Sequence, residues 1–193
     1  MQIVYGGAFN PPTKAHLDVY YFLHHKVSIE KFIYLPVGKA YEKDALEDDT
    51  HRFNMLKRMV SGLSDVEISN MELNDESYLG TYKSLRRLKE SDKRMAFIIG
   101  ADHLKTLSKW KHSDKLLNEF ECLVLNRDGK PLDEWIEQDA YLSKHKARIH
   151  VFSDFKVDVS SSEFRNTLNE NLVVPSVFNY IREHGLYGMK KEG

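Results

Sequence analysis

Thr13 and His16 stand three residues apart in GGAFNPPTKAH, a stretch that leaves a short apolar run, turns on Gly6, Gly7, Pro11 and Pro12, and enters a helical pattern. Residues three apart on a helix share a face, so a hydroxyl and an imidazole project together from the start of that helix. Gly6 and Gly7 permit backbone conformations closed to other residues and let a ligand approach main-chain N–H groups that can hold an anion. Asn10 has the side chain of an N-cap and proline suits the first helical position, so the helix is expected to begin near Pro11 or Pro12. Its free N–H groups and positive dipole end would then favour phosphate beside Thr13 and His16. The same residues also suit a plain turn, with Thr13 facing water and His16 a satisfied interior histidine. This stretch alone does not choose between the two.

A second cluster is VDVSSSEFRN, Val157 to Asn166. Ser160 and Glu163 form an S-x-x-E capping box, which by itself requires only a well-capped helix. Three consecutive serines nevertheless put hydroxyls at a helix entrance, and Arg165 adds a fixed cation one turn further on, so this is a second element able to hold an anion. Neither a Walker sequence nor GxGxxG occurs, and the nine histidines show no HExxH spacing, so a protein-held catalytic metal is not indicated.

Elements able to carry these residues alternate along the chain. Short apolar runs read as strands at Gln2 to Tyr5, Lys31 to Pro36, Val66 to Ile68, Arg94 to Ile99, Glu121 to Leu125 and Arg148 to Phe152. Helical periodicity falls between them at Thr13 to His25, Thr50 to Ser61 and Tyr82 to Lys89. That alternation predicts an α/β fold, a single-domain, Rossmann-like, doubly wound parallel sheet with a helical C-terminal part. In such sheets ligands bind beyond the carboxyl ends of the strands, where the GG turn leaves the first one. RDGKPLDEWIEQDAYLSKHKARI reads as an irregular surface excursion with one short helix, and any homo-oligomer contact is expected there.

With 193 residues the chain can bury one sizeable core. Twenty-eight Lys and Arg against 29 Asp and Glu leave a net charge of −1, so no general field attracts nucleic acid or an anionic membrane, and anionic substrates must meet local donors. The lone Cys122 lies in the apolar ECLVL and reads as a buried thiol. No signal-peptide pattern and no bilayer-length apolar span occurs, so a cytoplasmic protein is expected.

Several motifs in order carry a family resemblance. GGAFNPPTKAH resembles the [TH]-x-G-H motif of nucleotidyltransferases, and VSSSEFR resembles their I-S-S-T-x-x-R. HRFNMLKRMV, FIIGADHLKTLSKW and the terminal IREHGLY are similar to H-R-x-x-M-L, F-I-I-G-A-D-x-L-x-x-L-x-x-W and Y-I-x-x-x-G-L-Y of the nicotinate mononucleotide adenylyltransferases. The resemblance runs from Ile3 to Tyr187. It implies that Gly6, Gly7 and Phe9 lie against the nucleotide, and that His16 is the principal catalytic residue, holding the ATP phosphates with Thr13 in the first motif position. It implies further that Ser161, Ser162 and Arg165 contact those phosphates, and that Gly100, Asp102 and Trp110 serve the mononucleotide, ribose or pyridine ring. Residue by residue, Asp102 also reads as a helix cap and Trp110 as a core tryptophan.

The implied reaction is adenylyl transfer, in which the phosphate of a pyridine mononucleotide attacks the α-phosphorus of ATP and pyrophosphate leaves. Such chemistry needs alignment and charge stabilisation rather than a protein nucleophile. An imidazolium at His16 is expected to donate to the phosphoryl oxygens, and Mg²⁺ is expected on the polyphosphate, held by substrate oxygens and water. Ala15 stands where the motif has Gly, and the family's P-P-H-K loop has no counterpart in LPVGKAYEKD, where Lys39 and Lys43 supply the positive charge. The family's S-Y-T-x-D-T-L corresponds either to Ser77 to Leu79 or to Thr81 to Leu85, with Thr81 as the candidate acceptor contact. The preference between nicotinate and nicotinamide mononucleotide stays open. Phosphopantetheine adenylyltransferase and a non-catalytic nucleotide-binding module are the alternatives.

Overall fold

In the computed structural model, residues 1–39, 46–127, 129, 131–157 and 159–191 are described. Strands β1 (Gln2–Gly7), β2 (Lys31–Pro36), β3 (Val66–Ile68), β4 (Met95–Gly100), β5 (Glu121–Leu125) and β6 (Ile149–Phe152) form one sheet in the order β3-β2-β1-β4-β5-β6. β4 runs parallel to β1 and to β5, and β5 parallel to β6. Register carries Val4 opposite Phe97, Phe97 opposite Cys122 and Cys122 opposite Ile149. All of β5 and nearly all of β2 are buried, which is why these strands read as unbroken apolar runs rather than alternating ones. The strand order reverses at β1 and β4, whose C-terminal ends carry Gly7 and Gly100.

The helices are α1 (Lys14–His24), α2 (Asp49–Met59), α3 (Thr81–Leu88), α4 (Ala101–Leu104), α5 (Ser113–Glu119), α6 (Leu132–Gln138), α7 (Ala140–Lys144), α8 (Ser161–Thr167) and α9 (Pro175–His184). Their buried faces keep helical spacing, as in Ala15, Val19 and Leu23 of α1 and Val177 and Ile181 of α9. Two expectations are corrected. α1 begins at Lys14 with Thr13 as N-cap, not at the prolines with Asn10 as cap, and the Asn10–Pro11 peptide is cis. The excursion after β5 contains two helices, α6 and α7, separated at Asp139, whose carboxylate accepts from the N–H groups of Tyr141 and Leu142. Helices as short as α4 and α5 carry too few turns to show a period in sequence.

Two compact units interleave along the chain. One comprises Met1–Gly6, Ile29–Ile33 and Tyr78–Lys156, with a core that includes Phe97, Leu104, Leu116, Leu117, Phe120 and Leu123. The other comprises Gly7–Ser28, Tyr34–Ser77 and Val157–Gly193, with a core that includes Phe9, Leu23, Tyr34, Met55, Phe164 and Ile181. Among the described residues no helix is long and apolar enough to cross a membrane.

Candidate nucleotide-binding site

The second unit carries the turn that follows β1. Gly7 approaches Phe9 so closely that a Cβ at position 7 would lie 3.1 Å from Phe9 Cζ. Phe9 is a non-glycine residue in the left-handed region, at φ 47°, and is held there by its buried ring. That ring meets His16 edge-on with centroids 5.0 Å apart and Tyr34 with centroids 5.6 Å apart, while the Tyr34 hydroxyl donates to the His16 carbonyl at 2.8 Å. The Phe9 side chain therefore braces the histidine.

Thr13, fully buried, caps α1 and fixes the imidazole. Its backbone N–H donates to His16 Nδ1 at 2.9 Å, and its Oγ1 lies 2.9 Å from the same nitrogen. A nitrogen that accepts a main-chain hydrogen bond carries no proton, so the ring proton sits on Nε2. This geometry favours the tautomer whose Nε2–H points away from the helix cap.

α8 closes on the same turn. Ser160 Oγ caps the helix by accepting from the Glu163 N–H at 3.1 Å, as the S-x-x-E spacing predicts. Ser161 Oγ donates to the Pro11 carbonyl at 2.8 Å, and Arg165 Nη1 donates to the Asn10 carbonyl at 2.6 Å. Arg165 Nη2 also donates to Ser162 Oγ at 3.1 Å, so the serine holds the guanidinium in place.

Asn10 is the hub that sequence reasoning misassigned as a cap. Its Oδ1 accepts from the Tyr187 hydroxyl at 2.9 Å and from the Glu47 N–H at 3.1 Å. Burial, helped by the Glu47 carboxylate, pushes the Tyr187 phenol well above its ordinary value, against the opposing charges of Arg52 and Arg165, so it stays a neutral donor. Nothing local predicts the Asn10–Tyr187 pair, although IREHGLY marked the tyrosine. Lys39 is exposed and pairs with Asp48 at 3.3 Å, while Lys43 lies outside the described residues.

The remaining candidates belong to the first unit. Gly6, at the end of β1, is exposed. Gly100 precedes α4 with open space where a Cβ would stand, and Asp102 is exposed on the first turn of that helix. Asp102 is thus not the N-cap, a position held by Gly100. Trp110 is half-buried, facing Phe97 and His103 with ring centroids 6.5 Å and 6.0 Å away, and its Nε1 donates to Thr106 Oγ1 at 3.3 Å. Thr81 opens α3 with its hydroxyl 3.1 Å from that of Tyr78, whose carbonyl accepts from Lys111 Nζ at 3.1 Å.

Known proteins resemble this chain in sequence and in fold. The cytidylyltransferase-like family profile matches residues 4–167. A protein of Acholeplasma laidlawii named "Probable nicotinate-nucleotide adenylyltransferase" is 38% identical over 190 residues, covering 97% of each chain. One of the same name from Staphylococcus haemolyticus is 33% identical, covering 96% of this chain and 95% of its own. The solved Plasmodium falciparum nicotinic acid mononucleotide adenylyltransferase complexed with APC superposes with a TM-score of 0.77 at 22% identity, covering 99% of this chain and 98% of that one. Its complex with NaAD gives 0.75 at the same identity, so this second comparison agrees on the fold. Taken with the turn, the capped histidine and the serine–arginine helix, these matches make the chain a member of the cytidylyltransferase-like family, within its nicotinate-nucleotide adenylyltransferase branch.

Proposed function

We propose that this protein transfers the adenylyl group of ATP to nicotinate mononucleotide, releasing pyrophosphate and forming the dinucleotide. The observation that carries the reading is the convergence of Ser161 and Arg165 on the carbonyls of Pro11 and Asn10, in the turn that leads to His16. Two anion-holding elements separated by most of the chain thereby meet at one turn within one compact unit.

In the reaction an oxygen of the mononucleotide phosphate bonds to the α-phosphorus, the bond to the bridging oxygen breaks, and that oxygen leaves with pyrophosphate. The nucleophile is already anionic, so no protein base is needed. His16 Nε2–H and the remaining guanidinium N–H groups of Arg165 are donors for the charge that develops on the phosphoryl oxygens. The donors around the turn are cationic, hydroxylic or imidazole N–H, which suits phosphate and does not suit a protein-held cation. Mg²⁺ would be carried on the polyphosphate as part of the substrate. Gly100, Asp102, Trp110 and Thr81 are assigned to the acceptor and its ribose.

Pyrophosphate release from ATP and Mg²⁺, measured in parallel with nicotinate mononucleotide, nicotinamide mononucleotide and phosphopantetheine, tests the reading. The greatest rate is expected with nicotinate mononucleotide. Greater release with phosphopantetheine would reassign the acceptor, and ATP binding without turnover on any of the three would leave a non-catalytic module.

A further inference from the structure

The segment HRFNMLKRMV takes no part in the site just described, yet α2 buries an arginine at its centre. Arg52 is fully buried and shares the inward face with Met55, Leu56 and Met59. Its Nε donates to the Glu47 carbonyl at 3.1 Å, its Nη1 to the Ala8 carbonyl at 2.7 Å, and its Nη2 to the Val37 carbonyl at 2.6 Å and to Asp49 Oδ1 at 2.5 Å. One guanidinium therefore holds three separate backbone segments: the turn after β1, the chain just past β2, and the approach to α2.

These carbonyls share an orientation problem. In a trans peptide the C=O and the following N–H point in opposite directions, so pulling a carbonyl inward turns the next amide outward. Arg52 does this to the Ala8–Phe9, Val37–Gly38 and Glu47–Asp48 peptides. Val37 N–H does the same to the Gly7–Ala8 peptide by donating to the Gly7 carbonyl at 3.0 Å. The Phe9 backbone, held at φ 47°, sits directly after one of these peptides, and its ring sets the face of His16. At Gly38 the chain passes so close to Glu72 that a Cβ would come within 2.2 Å of its carbonyl oxygen, so this segment has no room to adjust. A buried ion is a poor way to gain stability alone, since apolar residues of similar volume serve a core as well. What the planar fork supplies that methionine cannot is direction.

We infer that Arg52 is a positioning residue for the nucleotide site, its buried guanidinium turning the peptides after β1 and β2 so that their amide edges face the phosphates while Phe9 and His16 keep their alignment. The inference rests on ATP binding at this turn and deepens the proposed function.

Arg52→Lys and Arg52→Met are compared with wild type and with Met55→Ala, which opens a cavity on the same helix face without touching the turn. ATP affinity is measured by equilibrium titration, turnover at saturating ATP separately, and folding by circular dichroism and thermal melting, all well below each midpoint. ATP binding is expected to weaken by at least about tenfold in both Arg52 variants, with turnover falling as well, whereas Met55→Ala melts at lower temperature and keeps both parameters. Arg52→Lys should retain more activity than Arg52→Met, because a point charge can hold only part of the carbonyl set. Near-wild-type binding and turnover in folded Arg52 variants would overturn the inference. So would equal losses in Met55→Ala, or failure of both Arg52 variants to fold, which would make Arg52 a requirement of the core. Because ATP affinity is read independently of turnover, a wild type that binds ATP without transferring it would count against the proposed reaction and leave this inference standing.

Discussion

His16 shows how one main-chain hydrogen bond decides the chemistry of a side chain. The Thr13 N–H occupies Nδ1, so the ring presents Nε2–H as a donor, and Phe9 keeps it from turning. His16→Ala is expected to lower turnover by about 10²–10³-fold, the usual loss for one charge-stabilising donor, with a melting temperature close to wild type; steady-state pyrophosphate release and a thermal scan check both. Cys122 is a contrasting residue. It is wholly buried, and burial pushes its thiol far above the ordinary range, so it should resist a thiol-specific chromogenic reagent in native protein and react fully in denaturant. Cys122 was legible in sequence because its burial follows from the apolar run around it, and the spacing of Thr13 and His16 was legible while the bond that joins them was not. Asn10, Arg52 and Tyr187 were not legible, because their partners are remote along the chain. The one local clue to Arg52 is its place on an otherwise apolar helical stripe with Met55, Leu56 and Met59.

At the scale of elements, capping sets where the helices begin. Thr13, Asp48 and Ser160 stand at the starts of α1, α2 and α8, and each start bears on the turn or on the segments Arg52 ties to it. Asp48 accepts from the Thr50 N–H at 2.9 Å, and this bond, more than its partner Lys39, holds the carboxyl below its ordinary value of 3.8. A group whose folded pKa is depressed stabilises the fold above its unfolded value and loses that contribution as pH falls through the folded one. Asp48→Ala should therefore cost about 1 kcal/mol at neutral pH, and the difference from wild type should shrink as the pH drops below 3.8; denaturant melts across that range measure it. Ser160 with Glu163 could be read from spacing. The Thr13 cap was missed because proline at the first helical position and asparagine before it made a competing start, while the chain used Asn10 for long-range hydrogen bonds instead.

On the scale of the molecule, the C-terminal segment completes the N-terminal turn. Tyr187 reaches Asn10, Phe164 packs edge-on against the Tyr187 ring at 5.9 Å, and α8 anchors the carbonyls of Asn10 and Pro11. Tyr187→Phe removes one part-buried hydrogen bond and is expected to cost about 1 kcal/mol, lowering the melting temperature by about 2–4 °C. Asn10 keeps its Glu47 partner in that variant, so ATP affinity should fall less than in Arg52→Lys.

The sequence by itself determined the alternation that makes a doubly wound sheet, the two motifs that meet at the turn and the family, because each is written in local periodicity, local spacing or ordered motifs. Three strands, Lys31–Pro36, Val66–Ile68 and Glu121–Leu125, fall where their apolar runs put them. Only the tertiary structure decided that α8 braces the turn and that Arg52 sets the direction of three carbonyls. The physical reason is the same in each case: a backbone carbonyl or N–H is present at nearly every residue, so sequence cannot say which one a distant side chain will meet until the chain has folded.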